Sequence, residues 1–194
     1  YKRQGPVRAT DIPAFLNNGF VADKNMRTVT FTLFERLVLS PIELQTALKP
    51  ALIAALIIFF LSGIGPDVFS IAKAWTRGAA AVLALALGVL SGAVITPALL
   101  PFIPVREFAL KGIIAGFGTA LLFIFAFPAG AISVKAGIAL LLFTTTISSV
   151  MAMNYTGTTP FTSPSGVEKE MKRYIPIQLI TLVLSTSIWI YAAF

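Results

Sequence analysis

The sequence predicts an all-α membrane protein, a bundle of five transmembrane helices preceded by an N-terminal cytoplasmic linker segment. Three observations carry this reading. Of the 194 residues, 57% are hydrophobic and only 12% are charged, against about 45–50% and about 25% in soluble domains. The mean hydropathy is +0.87. The apolar residues gather into runs near the ~20 residues that a helix needs to cross a bilayer, and Gly and Pro punctuate the gaps between them. Cysteine and histidine are both absent. Their absence excludes disulfides, thiolate metal sites, Cys nucleophiles and every His-based mechanism within the chain. Hence no catalytic, cofactor-binding or metal-binding residue is assigned.

Residues 1–49 form the most soluble-looking part and carry seven of the fifteen Lys and Arg residues. Tyr1 to Pro6 is no signal peptide, because no apolar stretch follows its basic residues. The chain therefore reads as cut from something longer. Thr10-Asp11-Ile12-Pro13 predicts a helix start, with Ala14-Phe15-Leu16 as a short apolar face and Asn18-Gly19 as the stop. Thr28 to Leu33 alternates like a strand. The segment is too small to bury its own core and reads as a linker or a domain remnant. Ser40-Pro41-Ile42-Glu43 has the form of a capping box with Pro at the first helical position. A helix should start there and run through Leu44, Ala47 and Leu48 into the membrane domain, residues 50–194.

The five spans are expected at about Pro50 to Ile64, Gly78 to Leu100, Phe108 to Phe127, Ala136 to Met153 and Tyr174 to Ala193. Gly65-Pro66-Asp67, Pro101 to Pro104 and Pro128-Ala129-Gly130 separate them. Val68 to Trp75 is amphipathic and suits the membrane interface, where Trp is at home. Pro176 interrupts the last span and predicts a kink. No internal repeat supports an inverted-repeat transporter.

Charge placement orients the bundle. With the N-terminus inside, twelve Lys and Arg lie on the cytoplasmic side, and only Lys73, Arg77 and Lys135 lie outside. The positive-inside rule favours that arrangement. The chain is thus placed in the cytoplasmic (inner) membrane as a multi-pass protein, with its C-terminus outside behind Trp189 and Tyr191. The basic residues hold topology and meet anionic lipid, so they are no sign of nucleic-acid binding.

Little inside the spans can carry chemistry. Lys111 and Lys135 sit near span ends, where they can snorkel, and no Asp or Glu lies mid-span. Gly112 and Gly116 make a small-xxx-small pair beside Gly118, suited to close helix packing within the chain or across a homodimer. Thr144 shares a face with Ser148, and Thr145 with Ser149. These hydroxyls can bond across helices or line a polar pocket. That second use underlies an alternative reading, a small-molecule or metal transporter or channel-like subunit. For a soft metal, the natural thiolate ligands are missing.

Asn154 to Lys172 is expected to be an ordered polar loop at the cytoplasmic mouth, with Ser165 and Glu168 forming a second capping box and a new helix from about Gly166. Asn154, Tyr155, Thr156, Thr158, Thr159, Ser163, Ser165, Lys172 and Arg173 are the candidate docking residues. Arg173 and Lys172 suit an acidic partner or a lipid phosphate.

The same loop carries a resemblance. Met153-Asn154-Tyr155-Thr156-Gly157, followed by Thr159 to Met171, resembles the membrane domain of the mercury-methylating corrinoid proteins. Gly5-Pro6-Val7-Arg8-Ala9, Asp11-Ile12-Pro13 and Met26-Arg27 resemble the tail of their corrinoid domain, and related wording occurs in corrinoid iron–sulfur proteins of the acetyl-CoA pathway. The resemblance covers both ends of the chain; the middle spans are generic. It implies an upstream domain holding a cobalt corrinoid under a cap-helix Cys. It also implies a ferredoxin-like partner with two [4Fe–4S] clusters, and methyl transfer from the corrinoid to Hg(II). With no Cys here, that cap motif lies outside this chain, and no catalytic residue carries over. What the resemblance leaves is an anchoring and docking module, whose partners would be the bilayer, the corrinoid domain and the iron–sulfur protein.

Overall fold

The computed structural model describes residues 5–28, 32–66, 68–127, 132–158 and 164–194. The chain divides into two compact units, Tyr1–Glu35 and Arg36–Phe194. In the first, a 3₁₀ turn at Ala9–Asp11 leads into α1, Ile12–Asn17, with Pro13 in its opening turn. Gly19 ends it at φ +64°, a conformation that costs glycine little. The Val7 amide donates to the Met26 carbonyl at 2.9 Å. Arg8 pairs with Glu35 at 2.8 Å. Of the strand-like stretch Thr28 to Leu33, residues 29–31 lie outside the described residues, and Leu33 opens α2, Leu33–Leu37.

The second unit is helical. Its long helices are α3 (Ser40–Leu61), α4 (Ile71–Leu90), α6 (Phe108–Phe125), α7 (Val134–Thr158) and α8 (Pro164–Tyr191). After α4 come a π turn, Ser91–Ile95, and a short helix α5, Thr96–Leu99. Pro97 lacks the N–H that would continue the ladder, and the Thr96 hydroxyl donates to the Ser91 carbonyl at 2.9 Å across the widened turn. Five stretches are long and apolar enough to cross a membrane: Leu33–Leu61, Ile71–Leu99, Phe108–Phe125, Val134–Tyr155 and Ser165–Tyr191.

The helices alternate in direction, so the unit has two ends. One end gathers the start of α3 and the finish of α7, where Tyr155 meets Arg36. The other gathers the finish of α3 and the last turns of α8, where Trp189 meets Ser62. α7 is central: 61% of its apolar window is buried, against 11% for α3.

The core combines large side chains, among them Leu85, Phe123, Leu140, Phe143 and Trp189, with many alanines at the closest helix contacts. Ala81, Ala84, Ala93, Ala109, Ala120, Ala139 and Ala152 are buried, whereas Leu52, Ile53, Leu56, Leu122, Phe125, Ile180 and Val183 face outward. Lipid is as apolar as leucine, so helices that meet in a bilayer are held by close contact between small residues. A soluble monomer rarely shows an apolar surface this continuous. The pattern is compatible with a multi-pass membrane protein.

Several local expectations change. α3 does begin at Ser40, but the capping box does not form, for no side chain caps the helix and the Ser40 hydroxyl is buried without a partner. Val68 to Trp75 is not one amphipathic segment: Val68–Phe69 pairs with Ile64–Gly65 in a two-residue antiparallel ladder. α4 then starts under Ser70, whose hydroxyl accepts from the Lys73 amide at 3.4 Å. The polar loop also shrinks at both ends. Asn154 to Thr158 continue α7, and α8 begins at Pro164, leaving 159–163 between them. No helix breaker other than Gly157 stands in the first stretch, and Pro164 suits a first helical position.

Candidate functional site

α7 presents its hydroxyls to three neighbours. The Ser148 hydroxyl lies 2.8 Å from the Gly112 carbonyl and 3.1 Å from the Ser91 hydroxyl, which Thr119 reaches at 3.2 Å. Ser149 donates to the Ala109 carbonyl at 3.0 Å and accepts from the Gln178 amide at 2.9 Å. Thr144 donates to the Ala84 carbonyl at 3.2 Å. The shared faces foreseen for Thr144 with Ser148 and Thr145 with Ser149 thus differ in use, since the buried Thr145 hydroxyl meets no partner. In an apolar surrounding each satisfied hydroxyl ties two helices together.

Glycine lets the backbones approach that closely. A Cβ at Gly112 would stand 2.6 Å from both the Ala152 Cβ and the Ser148 carbonyl oxygen. One at Gly116 would stand 2.6 Å from the Ser148 Cβ, and one at Gly92 only 2.4 Å from the Met151 Cβ. Gly112 and Gly116 therefore pack against α7 of their own chain. Gly118 faces open space.

The Tyr155 end holds most of the candidate docking residues. Asn154 is exposed on α7. Tyr155 is fully buried, and its hydroxyl donates to the Arg36 carbonyl at 2.9 Å. Its ring lies 6.4 Å from that of Phe108. The Arg36 guanidinium donates to the carbonyls of Pro97 and Ala98 at 3.1 and 3.2 Å, closing the open end of α5. Thr156 and Thr158 belong to the last turn of α7. Thr159 and Ser163 lie outside the described residues. Ser165 is exposed in the first turn of α8.

The two basic candidates are engaged within the chain. Lys172 pairs with Glu168 one turn away at 2.6 Å, and Arg173 with Glu107 at 3.0 Å. Glu107 also accepts from the Tyr174 hydroxyl. Glu170 accepts from the Ala109 amide at 2.6 Å, a bond to one of the open N–H groups at the start of α6. The Lys111 ammonium reaches back to the Leu100 carbonyl at 2.8 Å. Glu107, Glu170 and Tyr174 had no motif to mark them; acidic residues placed across from a helix start were the only signal.

At the opposite end, the Trp189 indole donates to the Ser62 hydroxyl at 2.8 Å. Arg77 lies 4.6 Å from the Trp189 ring centroid and donates to the carbonyls of Ser62 and Trp189. The Lys135 ammonium stands 4.2 Å over the Tyr191 ring. These contacts place amphipathic side chains where the apolar band ends.

Among the described residues no group of three or more Asp or Glu side chains converges to hold a metal ion. Comparison with protein-family models, with curated proteins and with solved structures gave no match.

Proposed function

We propose that this chain is the transmembrane anchoring and docking module of a corrinoid-dependent methyltransferase that converts Hg(II) to methylmercury. The observation that carries the reading is the wording of Met153 to Met171 and its resemblance to the membrane domain of that family. The apolar exterior and the small residues at the closest helix contacts support its membrane side. The excess of basic residues near the Tyr155 end supports a cytoplasmic position for that end, with the C-terminus outside. Neither a corrinoid cap nor an iron–sulfur cluster fits this chain, which has no Cys and no His. The methyl transfer is therefore assigned to an upstream corrinoid domain, and electron supply to a ferredoxin-like partner. This chain's own part is to hold the cytoplasmic surface around Asn154, Ser165 and Arg173 in a fixed shape. Burying Tyr155 and pairing Arg173 with Glu107 serve that shape.

The transporter alternative has less behind it, because the α7 hydroxyls that would line a path bond to neighbouring helices instead. The first test is the visible absorption spectrum of the full-length protein, expressed with corrinoid available. A corrinoid band absent from residues 1–194 is expected; its absence from the full-length protein overturns the reading. The docking role is tested by Asn154→Ala with Ser165→Ala, both exposed. Reduced co-purification of the iron–sulfur partner and reduced methylmercury formation, at unchanged melting temperature, are expected. Full activity with an unrelated membrane anchor would leave location as the only role.

A further inference from the structure

Glu43 is the least expected buried group in the helices. It is 5% exposed, and no hydrogen bond or ion pair of its carboxylate is seen among the described residues. The carboxylate borders a groove of about 330 Å³ between α3, α4 and α7. Ala47, Ala51 and Ala54 form its α3 wall, and Val89 and Ile147 face them. Asn154, exposed, stands at the same mouth as Glu43. The Thr46 hydroxyl there is turned to the carbonyls of Ile42 and Glu43, at 2.8 and 3.0 Å. The groove is thus acidic at one end and hydrocarbon along its length.

Its dimensions match one leaflet. On α3, Glu43 lies roughly 28 Å from Ser62 at 1.5 Å per residue, against about 30 Å for the hydrocarbon core of a bilayer. With Ser62 at one boundary of such a core, the carboxylate reaches the opposite boundary. From Glu43 to Ala54 the groove wall runs roughly 16 Å, close to half of that core, the reach of one acyl chain.

We propose that this groove binds an aminophospholipid. The primary ammonium of the head group donates to the Glu43 carboxylate, the Asn154 amide faces the phosphate, and one acyl chain lies along the alanine wall. An anionic head group would be repelled by the carboxylate. A quaternary ammonium has charge but no N–H to donate. The proposal does not rest on the corrinoid reading, although Asn154 belongs to both surfaces; its tests therefore use Glu43 and Ala51.

Native mass spectrometry of the full-length protein tests it. The protein is held in micelles with equal amounts of phosphatidylethanolamine, phosphatidylglycerol and phosphatidylcholine of identical chains. Retention of the ethanolamine lipid should exceed that of the other two by roughly tenfold, the scale of one charge-assisted hydrogen bond. Glu43→Gln should bring the ratio to near one. Ala51→Phe, which fills the groove and leaves the carboxylate in place, should abolish retention of all three. Melting temperature and elution profile check that both variants fold, and each variant tests the site separately. Equal retention of the three lipids by the natural protein overturns the proposal. So does an unchanged preference in Glu43→Gln, or retained ethanolamine lipid in Ala51→Phe.

Discussion

Three glycines of α6 offer a matched experiment. Gly112→Ala adds a methyl group 2.6 Å from the Ala152 Cβ and from the Ser148 carbonyl oxygen, and 2.8 Å from the Ser149 Cα. Two of those three atoms are backbone, so no flexible side chain can yield, and α6 must move away from α7. Overpacking of this kind costs about 1–3 kcal/mol. Separation would also lengthen the Ser148 bond to the Gly112 carbonyl, now 2.8 Å, and such interhelical bonds are worth about 0.6 kcal/mol on average. Gly118→Ala, two turns along the same helix, meets nothing within 4 Å. It should gain about 0.5–1 kcal/mol from lost unfolded-chain freedom and better helix propensity. Gly116→Ala should resemble Gly112→Ala. The predicted gap between the Gly112 and Gly118 variants is therefore about 2–4 kcal/mol. Reversible unfolding in mixed micelles, titrated with sodium dodecyl sulfate and read by tryptophan fluorescence, measures it. Variants at Gly112 and Gly118 that agree within about 0.5 kcal/mol would refute the close-packing argument.

Other outcomes follow from single contacts and use the same titration. Tyr155→Phe removes the hydroxyl that reaches the Arg36 carbonyl and should cost about 0.5–1.5 kcal/mol, whereas Tyr155→Ala should cost about 3–5. Thr145→Val removes a buried hydroxyl without a partner and should stabilise by about 1 kcal/mol. Ser148→Ala, beside it on α7, should instead destabilise by a similar amount. Lys172→Ala breaks an ion pair between two largely exposed side chains and should change stability by less than about 0.5 kcal/mol.

The helical segments were legible because an uninterrupted apolar run leaves the backbone one way to satisfy itself. Their ends were less so. Ser40 and Glu43 have the spacing of a capping box, yet tertiary packing takes both side chains inside the bundle. Asn154 to Thr158 looked like loop because polar residues usually mark one, but α7 keeps its ladder to Thr158. The candidate site was legible as composition and not as contact. Tyr155 read as a surface group, whereas its partner Arg36 stands 119 residues away in sequence. Spacing along one helix shows that Thr144 and Ser148 share a face; it cannot say that Ser91 and Gly112 wait opposite. The π turn at Ser91–Ile95 was hidden for a related reason. Pro97 announces a missing donor, but the choice between a break and a widened turn depends on what α7 offers next to it.

The central place of α7 bears on how the chain is made. Synthesis delivers α3, α4 and α6 before α7 exists. Until then the Ser91 hydroxyl, the Gly112 carbonyl and the glycine faces of α4 and α6 have none of their final α7 neighbours. A nascent chain stopped before residue 134 thus displays three long helices whose mutual fit is a template with its middle missing. The arrival of one helix, α7, supplies those hydroxyl and glycine partners together.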